Sequence, residues 1–214
     1  GINNDEGRIP WSQIYYLNGL LDLLDVARRS DGAQRVFGPL VSGVRQRLDL
    51  EIALIDRHQA AGRYRTRAFT VDRSQALFAV QTARLLLLFQ RYRSEVPGAL
   101  PLASFDSLKR DVLTLKDHIE VLARQGETEQ WLAPGRAHLR WPKGSKFYFD
   151  GTPVPFNHQN EWAYSVLATR EPGQPDNTAV EQDAQDILRF FVERITDQGA
   201  FPSSGEWDYW WGIA

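Results

Sequence analysis

The chain has 214 residues, 43% of them hydrophobic and seven of them Trp, enough apolar mass for a real core and enough to exclude global disorder. Its 25 Lys and Arg against 27 Asp and Glu leave a formal charge of −2 with no long run of one sign, which argues against a nucleic-acid protein and its basic stripe. With no Cys, disulfides, thiolate metal sites and a Cys nucleophile are excluded; the missing Met is what a mature or excised segment would show.

The first predicted helix follows Pro10, a residue suited to a first helical turn. Ile14, Leu17, Leu21 and Leu24 repeat at helical spacing, and Tyr15, Tyr16, Leu20 and Leu23 fill much of the remaining circumference, the pattern of a buried helix. It is expected to stop near Ser30-Asp31-Gly32. The second helix differs in kind. Val41, Val44, Leu48, Ile52 and Ile55 form one stripe, and Arg45, Arg47, Asp49, Glu51 and Arg57 take the other face, so one side meets water.

The alternation then repeats. Ser74–Phe89 is apolar on most sides, with Asp72 or Ser74 as its cap, and its Leu85–Phe89 core is far too short to span a bilayer. Phe105, Leu108, Val112, Leu115, Ile119 and Leu122 make the next one-sided stripe. Glu161–Ala168 is mostly apolar again. Val180, Ala184, Ile187, Leu188, Phe191 and Ile195 form the last stripe, with Glu181, Asp183 and Asp186 expected in water.

Buried and amphipathic helices in alternation describe αα-hairpins whose first helices share a core and whose second helices coat it. The fold class expected is therefore all-α: an αα-hairpin repeat forming an α/α toroid or part-toroid, over residues 1–214 as a single domain. Gly205–Ala214 reads as the entry to a fourth buried helix. Three hairpins and the start of a fourth suggest a segment of a longer protein. Long, aromatic-rich connections lead into the buried helices, and the one at 130–156 is expected to hold a small β-hairpin near 146–155, with Asp150-Gly151 at its turn.

Three clusters carry possible chemistry. In Asn157-His158-Gln159-Asn160-Glu161-Trp162, Asn157 is expected to cap the helix, Glu161 to face the N-terminal dipole, and Trp162 to serve as core. The functional reading of the same residues makes His158 an acid or base near neutral pH, with Asn157 and Asn160 binding a carboxylate or hydroxyls. Glu206, Trp207, Asp208, Tyr209, Trp210 and Trp211 interleave carboxylate and aromatic groups. At a helix start they read either as core or as a pyranose site, in which the sugar's ring face stacks on an aromatic while the acids take hydroxyls. Arg73, with Arg65 and Arg67, offers bidentate donors to an acidic sugar, or else holds a loop. The sequence has no metal-ligand spacing, phosphate loop or serine-hydrolase elbow, so no cofactor and no metal are expected.

Asn157-His158 followed closely by Trp162 resembles the Asn-Asn-His-x-x-Trp neighbourhood of α/α-toroid uronate lyases, with one Asn in place of two and Trp162 one residue further on. Together with the alternating helices, it makes the chain similar to α/α-toroid carbohydrate-active proteins: polysaccharide lyases, glucuronyl C5-epimerases and toroid glycoside hydrolases. That resemblance implies a glycan cleft lined by Tyr148, Asp150, Asn157, His158, Trp162, Asp208 and Tyr209. It implies a polysaccharide partner containing uronic acid, a periplasmic or secreted location, and abstraction of the C5 proton by His158 or a Tyr while Asn157 and an Arg steady the carboxylate. The hydrolase alternative uses Asp150, Glu161, Glu206 or Asp208 as acids. A non-catalytic glycan-binding or scaffold module is the reading from a different class.

Overall fold

The computed structural model describes residues 13–60, 75–113, 120–121, 135–140, 154–170, 173 and 178–197. Among them are the helices α1 (Ile14–Arg29), α2 (Asp31–Ala60), α3 (Gln75–Glu95), α4 (Phe105–Leu113), α5 (Phe156–Ala168) and α6 (Ala179–Asp197). The strands β1 (Glu120–Val121) and β2 (Leu139–Arg140) pair antiparallel, Glu120 opposite Arg140 and Val121 opposite Leu139. The all-helical class expected from periodicity is what the described residues show, apart from this short ladder. The hairpin expected near 146–155 falls almost wholly outside the described residues. Val154, at its end, donates its backbone N–H to the Leu139 carbonyl at 2.8 Å.

Packing follows the predicted hairpins. α2 lies on α1, α4 on α3 and α6 on α5, while α1 touches α3 and α3 touches α5. The odd-numbered helices are therefore neighbours in a row. Contacts between α1 and α3 rise together in number: Tyr15 with Arg84, Asn18 and Asp22 with Arg91, and Arg28 with the Glu95 carbonyl. The two helices run in the same direction, as first helices of successive hairpins must.

Capping explains most boundaries. Ser30, extended at φ −158 and ψ 158, ends α1; its hydroxyl accepts the Ala33 N–H at 3.1 Å and so starts α2 one residue later. The signal read as a stop is both a stop and a start, and α2 begins well before the stripe at Val41. Pro97 follows close on α3, where no helix can continue, and Gly98 takes φ +65. Asp56, buried near the end of α2, accepts the N–H groups of Ala103 and Ser104 at 2.9 and 2.8 Å and the Ser104 hydroxyl at 2.6 Å. It thereby fixes the entry to α4. Thr178 and Glu181 form a reciprocal capping box at α6: the Thr178 hydroxyl accepts the Glu181 N–H at 3.2 Å, and the Glu181 carboxylate accepts the Thr178 N–H at 3.1 Å.

One apolar core runs through all six of these helices. Leu17, Leu21, Leu48, Ile52, Leu86, Phe89, Leu108, Trp162, Ala184 and Ile187 belong to it. α3 is buried on nearly every side from Thr82 to Phe89, as its composition demands. Three expectations are corrected. α1 is one-sided, because Tyr15 and Tyr16 are 63% and 48% exposed while the Ile14, Leu17, Leu21, Leu24 stripe, continued by Ala27, turns inward. The stripe of α4 does not reach Leu122: the helix ends at Leu113, and Glu120–Val121 is extended against β2. In α6, Glu181 and Asp186 are buried, not exposed. Glu181 is drawn in by its capping bonds and by Arg170 at 3.6 Å, and Asp186 accepts from Gln182 at 2.7 Å and Arg189 at 3.3 Å.

Candidate functional site

The helical period of α5 divides the singled-out hexapeptide between two surfaces. Gln159, Trp162, Ala163 and Val166 turn into the core, while Asn157 and Tyr164 are exposed. Asn157 does not cap the helix. Pro155 occupies the N-cap, its carbonyl accepts from His158 and Gln159 at 3.0 and 3.1 Å, and Asn157 lies inside the first turn. Proline supplies no side-chain acceptor but presets the backbone angle at the helix mouth. Trp162 is core: it is 2% exposed and donates its indole N–H to the Val112 carbonyl at 3.4 Å.

His158 is 5% exposed. Burial, reinforced by the positive charge of Arg84, lowers its pKa to about 4, so the ring is neutral at pH 7. A neutral imidazole is a competent base, but this one is walled off from solvent. Glu161 does not rest on the helix dipole. Its carboxylate is bonded to the guanidinium of Arg84, which crosses from α3. Arg84 is 5% exposed and Glu161 30% exposed, so the pair is a buried cation under a carboxylate that reaches water. Burial raises the pKa of Glu161, against the pull of Arg84.

Two exposed aromatics complete this surface. The Arg84 guanidinium lies 5.8 Å from the centroid of the Tyr15 ring on α1. Tyr164, 59% exposed, stands one helical turn beyond Glu161. A polar line therefore crosses the three odd-numbered helices: Tyr15 on α1, Arg84 on α3, and His158 and Glu161 on α5. Asn160 has a buried side-chain oxygen with no hydrogen-bond partner among the described residues.

A second polar cluster lies beneath α5. Gln159 donates to the His138 Nε2 at 2.7 Å and to the Val154 carbonyl at 2.9 Å, and its oxygen accepts the Leu139 N–H at 3.1 Å. With Nε2 accepting, His138 carries its proton on Nδ1, which donates to the Leu139 carbonyl at 2.8 Å. The ring sits edge-on to Phe156 and Phe190 at 5.4 and 6.0 Å. Fully buried, it has its pKa lowered to about 4. This histidine is a structural tie between β2 and α5.

Of the residues expected at the site, His158 and Glu161 come together with Arg84. Asn157 is exposed in the first turn of α5, Asn160 has no shown tie to Arg84, and Trp162 is withdrawn into the core. Asp150, Tyr148, Arg73, Trp207, Asp208, Tyr209 and Trp210 lie outside the described residues. Arg84, Tyr15 and Tyr164 were not singled out in the sequence. Arg84 had a visible signal, as the lone charge between Arg73 and Arg91 in a run of apolar residues. Comparisons with protein-family models, with curated proteins and with solved structures give no match.

Proposed function

We propose that this chain is a carbohydrate-active α/α domain, a part-toroid that meets a uronic-acid-containing polysaccharide across α1, α3 and α5. The observation that carries the reading is the Arg84–Glu161 pair with exposed Tyr15 beside it and exposed Tyr164 one turn away. A pyranose needs a flat apolar face to stack on and charged groups at its edge for its hydroxyls, and these side chains supply both. The row of neighbouring odd-numbered helices, each backed by an even one, supports the part-toroid.

Within this reading Glu161 replaces His158 as the group that meets the sugar. His158 is enclosed, so taking a proton from a sugar carbon would require α5 to move. Glu161 reaches solvent, and burial moves its pKa upward against the pull of Arg84, the direction a glycosidase acid needs. Hydrolysis or glycan binding therefore stands ahead of lyase and epimerase chemistry. No described helix is long and apolar enough to cross a membrane; we place the domain's polysaccharide in the periplasm or outside the cell.

The test is titration of the protein with oligouronates and with neutral oligosaccharides, followed by calorimetry and by product analysis. Tyr15→Ala and Tyr164→Ala should each weaken binding about tenfold with the fold intact, the loss of one stacking contact. Unchanged affinity in both, or no binding of any glycan by the parent protein, would remove the carbohydrate reading. Products absorbing in the near ultraviolet would return the lyase to first place.

A further inference from the structure

A second surface of the molecule, at the C-terminal ends of α1 and α3, has a binding site's construction. The turn after α3 borders an open pocket of about 490 Å³, lined by Arg28, Arg93, Ser94 and Glu95 together with Pro97, Leu100 and Leu102. Arg28 lies at the end of α1. It donates Nε to the Leu24 carbonyl at 3.1 Å and Nη1 to the Glu95 carbonyl at 2.8 Å, and Nη2 takes part in neither bond. The Arg93 guanidinium is stacked on the Phe105 ring, 4.0 Å from its centroid. Stacking of this kind fixes the guanidinium plane and leaves its N–H edge for an in-plane acceptor.

The charge is unbalanced in favour of cations. Glu95, also in the lining, has its carboxylate engaged by Arg91 at 2.9 and 3.0 Å. Three carbonyls around this turn, which would otherwise repel an anion, are also engaged. Arg45 donates to those of Pro97 and Gly98 at 2.7 and 2.9 Å, and Arg28 to that of Glu95. The wall is rigid as well as charged. The Leu100 N–H is held by the Tyr92 hydroxyl at 2.9 Å, and that hydroxyl is itself bonded to Asp49 at 2.6 Å. A preformed wall lowers the ordering cost of a ligand.

We infer that this cavity binds a small organic carboxylate with a short apolar body. The carboxylate meets the Arg28 and Arg93 guanidiniums, and the apolar body lies on Pro97, Leu100 and Leu102. Guanidinium geometry suits a carboxylate bidentately, and the apolar wall distinguishes such a ligand from an inorganic anion. The site is separate from the Arg84–Glu161 surface and stands whether or not that surface binds glycan.

The experiment is a titration of the ¹⁵N-labelled protein with benzoate, with inorganic phosphate and with benzyl alcohol, read by amide shifts. Benzoate should saturate with a Kd of roughly 1 mM or tighter, the range its size sustains, and should move the amides of residues 96–102. Phosphate and benzyl alcohol should each bind at least tenfold more weakly. Arg93→Gln should weaken benzoate about tenfold, and Leu100→Ser several-fold. Leu100 is 40% exposed and its backbone bond to Tyr92 survives the change, so this variant keeps its fold. Equal binding of benzyl alcohol would reduce the site to an apolar cleft. Equal binding of phosphate would make it a plain anion site. No saturation with benzoate, or undiminished affinity in Arg93→Gln, would overturn the inference outright.

Discussion

Arg84 on α3 is almost wholly buried, and it is bonded to Glu161 on α5, whose carboxylate keeps one edge in water. Removing the carboxylate leaves a buried cation without it, and removing one partner of such a pair is far worse than replacing both. Glu161→Ala should lower stability by about 2–4 kcal/mol in urea unfolding, and Arg84→Met with Glu161→Leu should recover most of it. A single variant within about 0.5 kcal/mol of the parent would show that the pair is solvated in solution.

The two buried histidines give a pH signature. His138 and His158 are both lowered from 6.5 to about 4 in the folded chain, chiefly by burial. The unfolded chain therefore binds more protons between these values, and stability is lost as pH falls through the window. Their contribution is fully present above pH 6.5 and gone below about 4. Each histidine is worth roughly 3 kcal/mol over that range. Glu161, with its pKa raised, has the opposite sign: stability is lost as pH rises through its window. Urea midpoints from pH 7 to pH 4 should fall, and His158→Asn and His138→Gln should each flatten the curve. A flat curve in the parent would mean that both rings are open to water.

Asp56 accepts three hydrogen bonds from the turn ahead of α4. Asp56→Ala strands donors in a buried place and should cost about 2–4 kcal/mol. Asp56→Asn keeps one oxygen and should cost about half as much. Thermal unfolding of the two variants side by side checks the order.

The capping box of α6 makes a smaller prediction. Thr178→Ala removes the acceptor of the Glu181 N–H and should cost about 1 kcal/mol. Hydrogen exchange at the first turn of α6 should accelerate while the middle of α3 stays protected.

Much of the fold was legible because helical spacing reports directly on which face is buried. The stripe of Leu48, Ile52 and Ile55 in α2 and the crowded Leu85–Phe89 of α3 needed no partner to be read correctly. α1 misled because tyrosine counts as apolar in a periodicity, although its ring tolerates water and here sits 63% exposed at Tyr15. Glu181 and Asp186 misled for the converse reason. Carboxylates are expected outside until a partner is known to hold them. Glu181 is held by the Thr178 N–H and by Arg170 from beyond the helix. Gln182 and Arg189, which hold Asp186, stand on its own helix at i−4 and i+3, a signal the spacing did carry. The site was legible as a location and not as a set of roles. Spacing placed the hexapeptide at a helix start, but which of its residues faces Arg84 depends on α3 and α5 being neighbours.

Ser30 alone separates α1 from α2, and that economy bears on the order of assembly. A one-residue elbow closes almost no loop, so the pairing of α1 with α2 meets little of the entropic barrier that opposes remote contacts. The ties between α3 and α5, such as Arg84 to Glu161, join residues 77 apart and must wait for chain yet to come. During synthesis the first hairpin can fold on leaving the ribosome, as a template on which α3 and then α5 are laid.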